Sequence, residues 1–332
     1  MFRKKLAELG LDLPLLPATT VGSFPKPPEL LAARAAVRKG KMSRNKLDDA
    51  AREATASWVR VQEELGLDVL VDGEMYRGDM VAYFAEHMKG FKDGGLVRSY
   101  GNRYYRKPVI TGPVRWTRPI TTEWWKFAQG LTGRPVKGVL TGPYTMMDFS
   151  FNEHYPTRRS TAMAIGRELR KEAEALVRAG CKIIQIDEPA LSVRPEELPV
   201  AVEAMKTMTQ GLPAYFITHV CYGAFEFIYP GMLRMPVHNF DLEMSNSEFD
   251  LLPLFAGDPF TKDISLGVFD VHSRKTDSAE TVRRRIKKAL AVLNPEQVWI
   301  DPDCGLKTRT RDEALAGLAE MMKAVTRVRK EL

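Results

Sequence analysis

Eight short β-rich runs, each followed by a polar turn and a helical pattern, constrain this chain more than any other feature. They are TTVGSF (19–24), VLVDGE (69–74), VKGVLTGP (136–143), IIQIDEP (183–189), AYFITHVC (214–221), NFDLEM (239–244), LGVFDVHS (266–273) and VWIDPDCG (298–305). Apolar strands alternating with helices predict an α/β fold with a parallel sheet covered on both faces. Eight such units predict a (β/α)8 TIM barrel.

The intervening segments carry helical periodicity. Leu47, Ala51, Ala54, Trp58, Val61 and Leu65 step by four and three along one face, with Gly66 as the stop. Ala162, Ile165, Leu169, Ala173 and Leu176 repeat the pattern before Gly180. Val282, Ile286, Leu290 and Leu293 do so after a cap at Asp277 or Ser278. A ninth β-like stretch, PVITGPV (108–114), exceeds the count. With LVRSYGNRYYR before it and a turn at Gly101–Asn102, it predicts a β-hairpin inserted after the second strand, at about residues 95–116. No repeat, linker or low-complexity tract divides the sequence, so residues 1–332 are expected as a single domain. A doubly wound open sheet is the other arrangement of such units, but no glycine-rich dinucleotide fingerprint follows any strand.

The net charge of +7 and pI near 9.2 raise the question of nucleic acid. The basic residues are spread through amphipathic segments such as TVRRRIKKAL, the pattern of a solvated helix face, and no nucleic-acid module is present. No nucleic-acid partner is expected. No run approaches the roughly 18 apolar residues of a membrane span. The opening MFRKKLAELGLDLPLLP is basic and then apolar, but Glu8, Gly10, Asp12 and Pro14 break it and no small-residue cleavage site follows. A cytoplasmic location is expected, with no membrane partner. Three cysteines, an odd number in a long chain, do not make a disulfide framework.

In a barrel of this kind the chemistry sits at the C-terminal ends of the strands. Ser23, Glu74, Asp187, Glu188, His219, Cys221, Glu243, His272 and Cys304 gather there. Asp and Ser commonly cap the next helix, whereas His, Cys and Glu do so poorly, so the latter carry the functional reading. His219 and Cys221 stand two apart on a strand, and both side chains therefore point to one face. Glu243 and Cys304, projected from the sixth and eighth strands onto the same rim, complete four ligands of a zinc-compatible type. Cys181 begins a strand at the opposite rim and reads as an ordinary buried thiol. His154 and His238 read as structural, and His87 as a surface residue on a helix.

The runs TTVGSFP, VDGEMYRGDMVAYF, VKGVLTGPYTMMDFSF, IIQIDEPAL, THVCYGAFE and DPDCGLKTR resemble the catalytic barrel of the cobalamin-independent methionine synthase family, from about residue 17 to 310. The resemblance implies a zinc-dependent methyltransferase that converts homocysteine to methionine. It places His219, Cys221, Glu243 and Cys304 on the zinc ligands, Ser23, Glu74 and Asp187 on the amino-acid site, and His272 on the proton donor. Zinc would activate the acceptor thiol, since the thiolate is the nucleophile. Glu74 and Asp187 suit the ammonium of homocysteine, and backbone N–H groups around Gly22–Ser23 suit its carboxylate.

The chain also departs from the folate-using members. Phe149 stands where they carry Trp, and Ser192–Val193 where they continue with Arg-Glu, although Arg103 matches a folate-contacting position. The stacking Trp and an acidic group able to hold a pterin are both missing. Short relatives lacking the first of two barrels are linked to corrinoids. The expected methyl donor is therefore a methylated corrinoid or corrinoid protein, with 5-methyltetrahydrofolate as the alternative. Two other readings change more: methyl transfer to another small thiol, and a zinc-stabilised corrinoid-binding module without catalysis.

Overall fold

The four-and-three spacing from Leu47 to Leu65 winds into helix Arg44–Leu65, capped by the Ser43 side chain and stopped at Gly66, whose φ of 85° is open to glycine without strain. Helices Arg158–Arg178 and Ala279–Leu290 form on the other two patterns, the second capped by Ser278. The structure is a computed structural model that describes residues 2–98, 104–221 and 225–332.

The chain, expected as one domain over residues 1–332, gathers its contacts in two compact units. The first comprises Met1–Tyr76, Trp124–Lys137 and Asn239–Leu332. In it strands Asn239–Leu242, Asp263–Gly267 and Val298–Asp301 pair in parallel, in that order. Ala18 bridges to Ile300, the Asp68 and Val69 amides donate to the Ala18 carbonyl, and Leu70 bridges to Val136, all running the same way. Helix Arg44–Leu65 is tied to this layer by Gln62, which donates to the Val71 carbonyl and accepts the Val71 amide, both at 2.9 Å. The side chain thus satisfies both backbone groups of Val71.

The second unit comprises Arg77–Glu123 and Gly138–His238. Strands Gly138–Thr141, Ile183–Asp187 and Tyr215–Val220 pair in parallel, every residue buried, as expected when helices cover both faces. Helices Pro143–Asp148, Arg158–Arg178 and Leu198–Thr209 accompany them. An antiparallel pair, Met88–Arg98 with Tyr104–Trp116, follows helix Met80–His87. It begins seven residues before the expected start at 95, because Met88 and Lys89 pair with Trp116 and Arg115. The turn placed at Gly101–Asn102, and Arg103, lie outside the described residues.

One strand differs from expectation. The seventh run was read as LGVFDVHS (266–273), but the ladder occupies Asp263–Gly267 and residues from Val268 onward leave it. Both stretches are apolar; the pairing of Ile264–Gly267 with Val298–Asp301 decides the register. No helix among the described residues is long and apolar enough to cross a membrane.

Candidate metal and substrate site

Within the second unit, strand Tyr215–Val220 carries His219 as its penultimate residue and is followed at once by Cys221, both buried. The Cys221 carbonyl accepts the Ser192 hydroxyl at 3.4 Å, and the His219 carbonyl accepts the Glu188 amide at 2.9 Å. Asp187 closes the neighbouring strand. Gln185 Nε2 donates to its Oδ1 at 2.7 Å, and Arg77 Nη2 stands 3.9 Å from its Oδ2. The adjacent Glu188 is buried and accepts the Tyr144 and Thr145 amides. Burial dominates there and pushes its carboxyl up to about 7.

Within the first unit, Ser23 and Glu74 are joined through their neighbours: the Phe24 amide donates to the Gly73 carbonyl at 3.1 Å. Glu74 is buried and holds φ at 59°, the left-handed region that a side chain with a Cβ rarely enters. Its amide donates to Asp72 Oδ1 at 2.8 Å, which fixes that conformation. Backbone strain of this kind collects at functional positions and persists where the surroundings over-determine it. Gly22 is buried beside Ser23, whose carbonyl accepts the Leu306 amide at 2.7 Å. Gly305 has room for no side chain, because a Cβ there would lie 2.1 Å from Ser23 Oγ. The 304–306 turn therefore lies directly against the Ser23 loop.

Cys304 is half-buried on that turn. His219 and Cys221 lie in the second unit and Cys304 in the first, and all three are residue types that could hold a metal ion. Two thiols and an imidazole are a zinc-compatible donor set, and the soft donors favour zinc over magnesium or calcium.

Glu243 is not among those three. It is buried just after strand Asn239–Leu242, and its Oε1 accepts Asn246 Nδ2 at 3.1 Å. His272 does not end a strand as expected. It is exposed, five residues beyond Gly267, with its amide on Asp270 Oδ1 at 2.6 Å. The three histidines read as structural or surface include two with clear structural bonds. His238 Nδ1 accepts the Phe216 amide, and His87 Nδ1 is 2.7 Å from the Tyr83 carbonyl.

Sequence reasoning missed Asp303. It is fully buried, and its carboxylate accepts the Met244, Ser245 and Asn246 amides and the Ser245 hydroxyl. Burial pushes its carboxyl up to about 7, and the nearby Glu243 charge adds to this. Its only sequence signal was a second acid two residues past a strand end, which reads equally as a helix cap.

Residues 16–327 match the family described as "Cobalamin-independent synthase, Catalytic domain". The chain is 41% identical to a 5-methyltetrahydropteroyltriglutamate–homocysteine methyltransferase of Chelativorans sp. (strain BNC1), over 98% of its own length and 44% of the relative's. It is 37% identical to a methionine synthase of Sulfolobus acidocaldarius, over 97% of its own length and 94% of the relative's. The chain thus spans less than half the length of the Chelativorans relative and nearly all of the Sulfolobus one. Among solved structures it resembles a B12-independent methionine synthase from Shewanella sp. W3-18-1 in complex with selenomethionine. The TM-score is 0.85 at 26% identity, covering 96% of this chain and 98% of that one. The fold is accordingly an α/β barrel of the (β/α)8 class, as the eight runs predict.

These findings correct the expected methyl donor. A corrinoid, or a corrinoid-protein partner, has no support among them: the matching family is cobalamin-independent, and the Chelativorans relative is named for a methyltetrahydropteroyl donor. The expectation rested on groups that are missing, and a missing Trp is no positive signal for a corrinoid. Phe149 still supplies an aromatic ring, with the Tyr105 ring 6.2 Å away.

Proposed function

The chain belongs to the family of the cobalamin-independent methionine synthase catalytic domain, and on that premise we propose that it transfers a methyl group to the thiol of L-homocysteine, giving L-methionine. The observation that carries this reading is the match of residues 16–327 to that family, supported by the buried His219–Cys221 pair at one strand end. Glu243 is the fourth ligand in this reading. Zinc held by these residues would supply a lowered thiol pKa, so that the acceptor is a thiolate near neutral pH.

The remaining work falls to the chain's own residues. Glu74 and Asp187 take the ammonium of homocysteine, and backbone N–H groups around Gly22–Ser23 take its carboxylate. Both carboxylates are buried, and a simple alkyl thiol would offer them no cation, so an amino-acid acceptor is favoured over another small thiol. The sulfur attacks the methyl carbon, and the new S–C bond forms as the donor's N–C bond breaks. The electron pair stays on the donor nitrogen, which takes a proton from His272 as general acid. The donor in this reading is a 5-methyltetrahydropteroyl compound, the class for which the Chelativorans relative is named.

The test is direct. Zinc-loaded protein is incubated with homocysteine and 5-methyltetrahydropteroyltriglutamate, and methionine is quantified by mass spectrometry. A parallel reaction uses a thiol that lacks the amino group. Methionine formation with little turnover of the second thiol is expected. No methionine from protein carrying stoichiometric zinc would overturn the reading.

A further inference from the structure

The chemistry proposed above uses Glu243 and Cys304, yet neither ligand is held by its own strand. Glu243 follows strand Asn239–Leu242, and Cys304 follows strand Val298–Asp301, each in irregular backbone. Such segments drift unless something outside them fixes their amides. Asp303, one residue before Cys304, does this for the 243–246 turn.

Its Oδ1 accepts the Met244 amide at 3.2 Å and the Ser245 amide at 2.9 Å. Its Oδ2 accepts the Asn246 amide at 3.1 Å and the Ser245 hydroxyl. Three consecutive N–H groups of one turn thus converge on one carboxylate, as in a backbone nest for an anion. Asn246, oriented by its amide, then donates Nδ2 to Glu243 Oε1 at 3.1 Å. Asp303 is itself anchored by its amide on the Phe269 carbonyl at 3.2 Å. The pocket is cut to its shape: a Cβ on Gly267 would lie 2.3 Å from Asp303 Oδ1.

We propose that Asp303 is a positioning residue for the metal, locking the Glu243 turn to the Cys304 turn through its hydrogen bonds to residues 244–246. It touches neither the metal nor the substrate in this role. It sets where the Glu243 carboxylate and the Cys304 thiol stand before the metal arrives. The inference rests on the ligand assignment made under Proposed function.

The test separates the two. Zinc affinity is measured by competition with a chromogenic chelator for the unaltered protein and for C304S, D303N and N246A. Cobalt(II) replaces zinc for absorption spectra of the thiolate-to-metal and ligand-field bands. Asp303→Asn replaces one acceptor oxygen with a donor and should weaken zinc binding about 10- to 100-fold, the range for residues that orient metal ligands. It should also alter the cobalt spectrum. Asn246→Ala, at an exposed residue, removes the side-chain bond to Glu243 while keeping the amide on Asp303, and should give a smaller loss of the same kind. A purely structural Asp303 would lower thermal stability while leaving affinity and spectrum unchanged, and that result would overturn the proposal. If D303N does not fold, N246A decides alone, with unchanged affinity as the negative result. Full zinc retention in C304S would remove the ligand assignment itself, and this inference with it.

Discussion

Glu188 Oε2 accepts the backbone N–H of Thr145 at 2.7 Å. The second oxygen takes the Tyr144 amide at 3.1 Å, so one buried carboxyl closes the first turn of helix Pro143–Asp148. Gly142 makes the approach possible, because a Cβ there would fall 2.1 Å from the Glu188 carboxyl carbon. Asp303 does the same for the turn after strand Asn239–Leu242. In each case an acid just beyond one strand end organises the backbone that follows another.

This relationship has a pH signature. The Glu188 carboxyl is raised by burial from 4.5 to about 7, so between those values the folded protein holds a proton that the unfolded chain has lost. Stability from this group is therefore full below about pH 4.5 and falls as pH rises to about 7, by roughly 3 kcal/mol. Glu188→Gln should flatten the dependence of stability on pH across that window. Denaturant titrations at several pH values check this, and an unchanged slope in the variant would refute it.

Zinc content should follow the thiols. Cys221→Ser and Cys304→Ser are expected to lose most bound zinc and methyl transfer together, because a hydroxyl is a poor, undissociated ligand at neutral pH. His272→Asn should keep zinc and lower kcat by about 10²- to 10⁴-fold, the usual contribution of a general acid. Elemental analysis beside steady-state kinetics distinguishes the two classes.

Glu74 offers a prediction in which stability and activity separate. Its left-handed backbone suits glycine, so Glu74→Gly should be more stable than Glu74→Ala by about 1 kcal/mol. Both should raise KM for homocysteine at least about tenfold by removing an ionic hydrogen bond to the ammonium. Equal stability of the two variants would show that the conformation at residue 74 carries no strain.

The cysteines should differ in reactivity. Burial pushes the Cys181 thiol up to about 12, leaving almost no thiolate at pH 8. Iodoacetamide on native, metal-free protein should spare Cys181 and label the half-exposed Cys304 first. Peptide mass spectrometry reads the order, and early labelling of Cys181 would contradict it.

Sequence by itself determined the alternation of strand and helix, because both periods are local: apolar residues at four and three spacing, and short apolar runs that end in polar residues. Helix Arg44–Leu65, its stop at Gly66 and a cap at Asp277 or Ser278 were all legible for that reason, and the structure places the cap at Ser278. So was the His219–Cys221 spacing, although the strand stops at Val220 and Cys221 lies just beyond it. Tertiary structure decided what local pattern leaves open. The seventh strand falls at Asp263–Gly267 because its ladder partner, not its own composition, sets the register. The left-handed turn at Glu74 needed Asp72 to hold its amide, and no residue type at position 74 announces it. Asp303 serves an amide 58 residues away. An isolated acid after a strand looks the same whether it caps the next helix or holds a distant ligand turn, since its hydrogen-bond partners are chosen by folding.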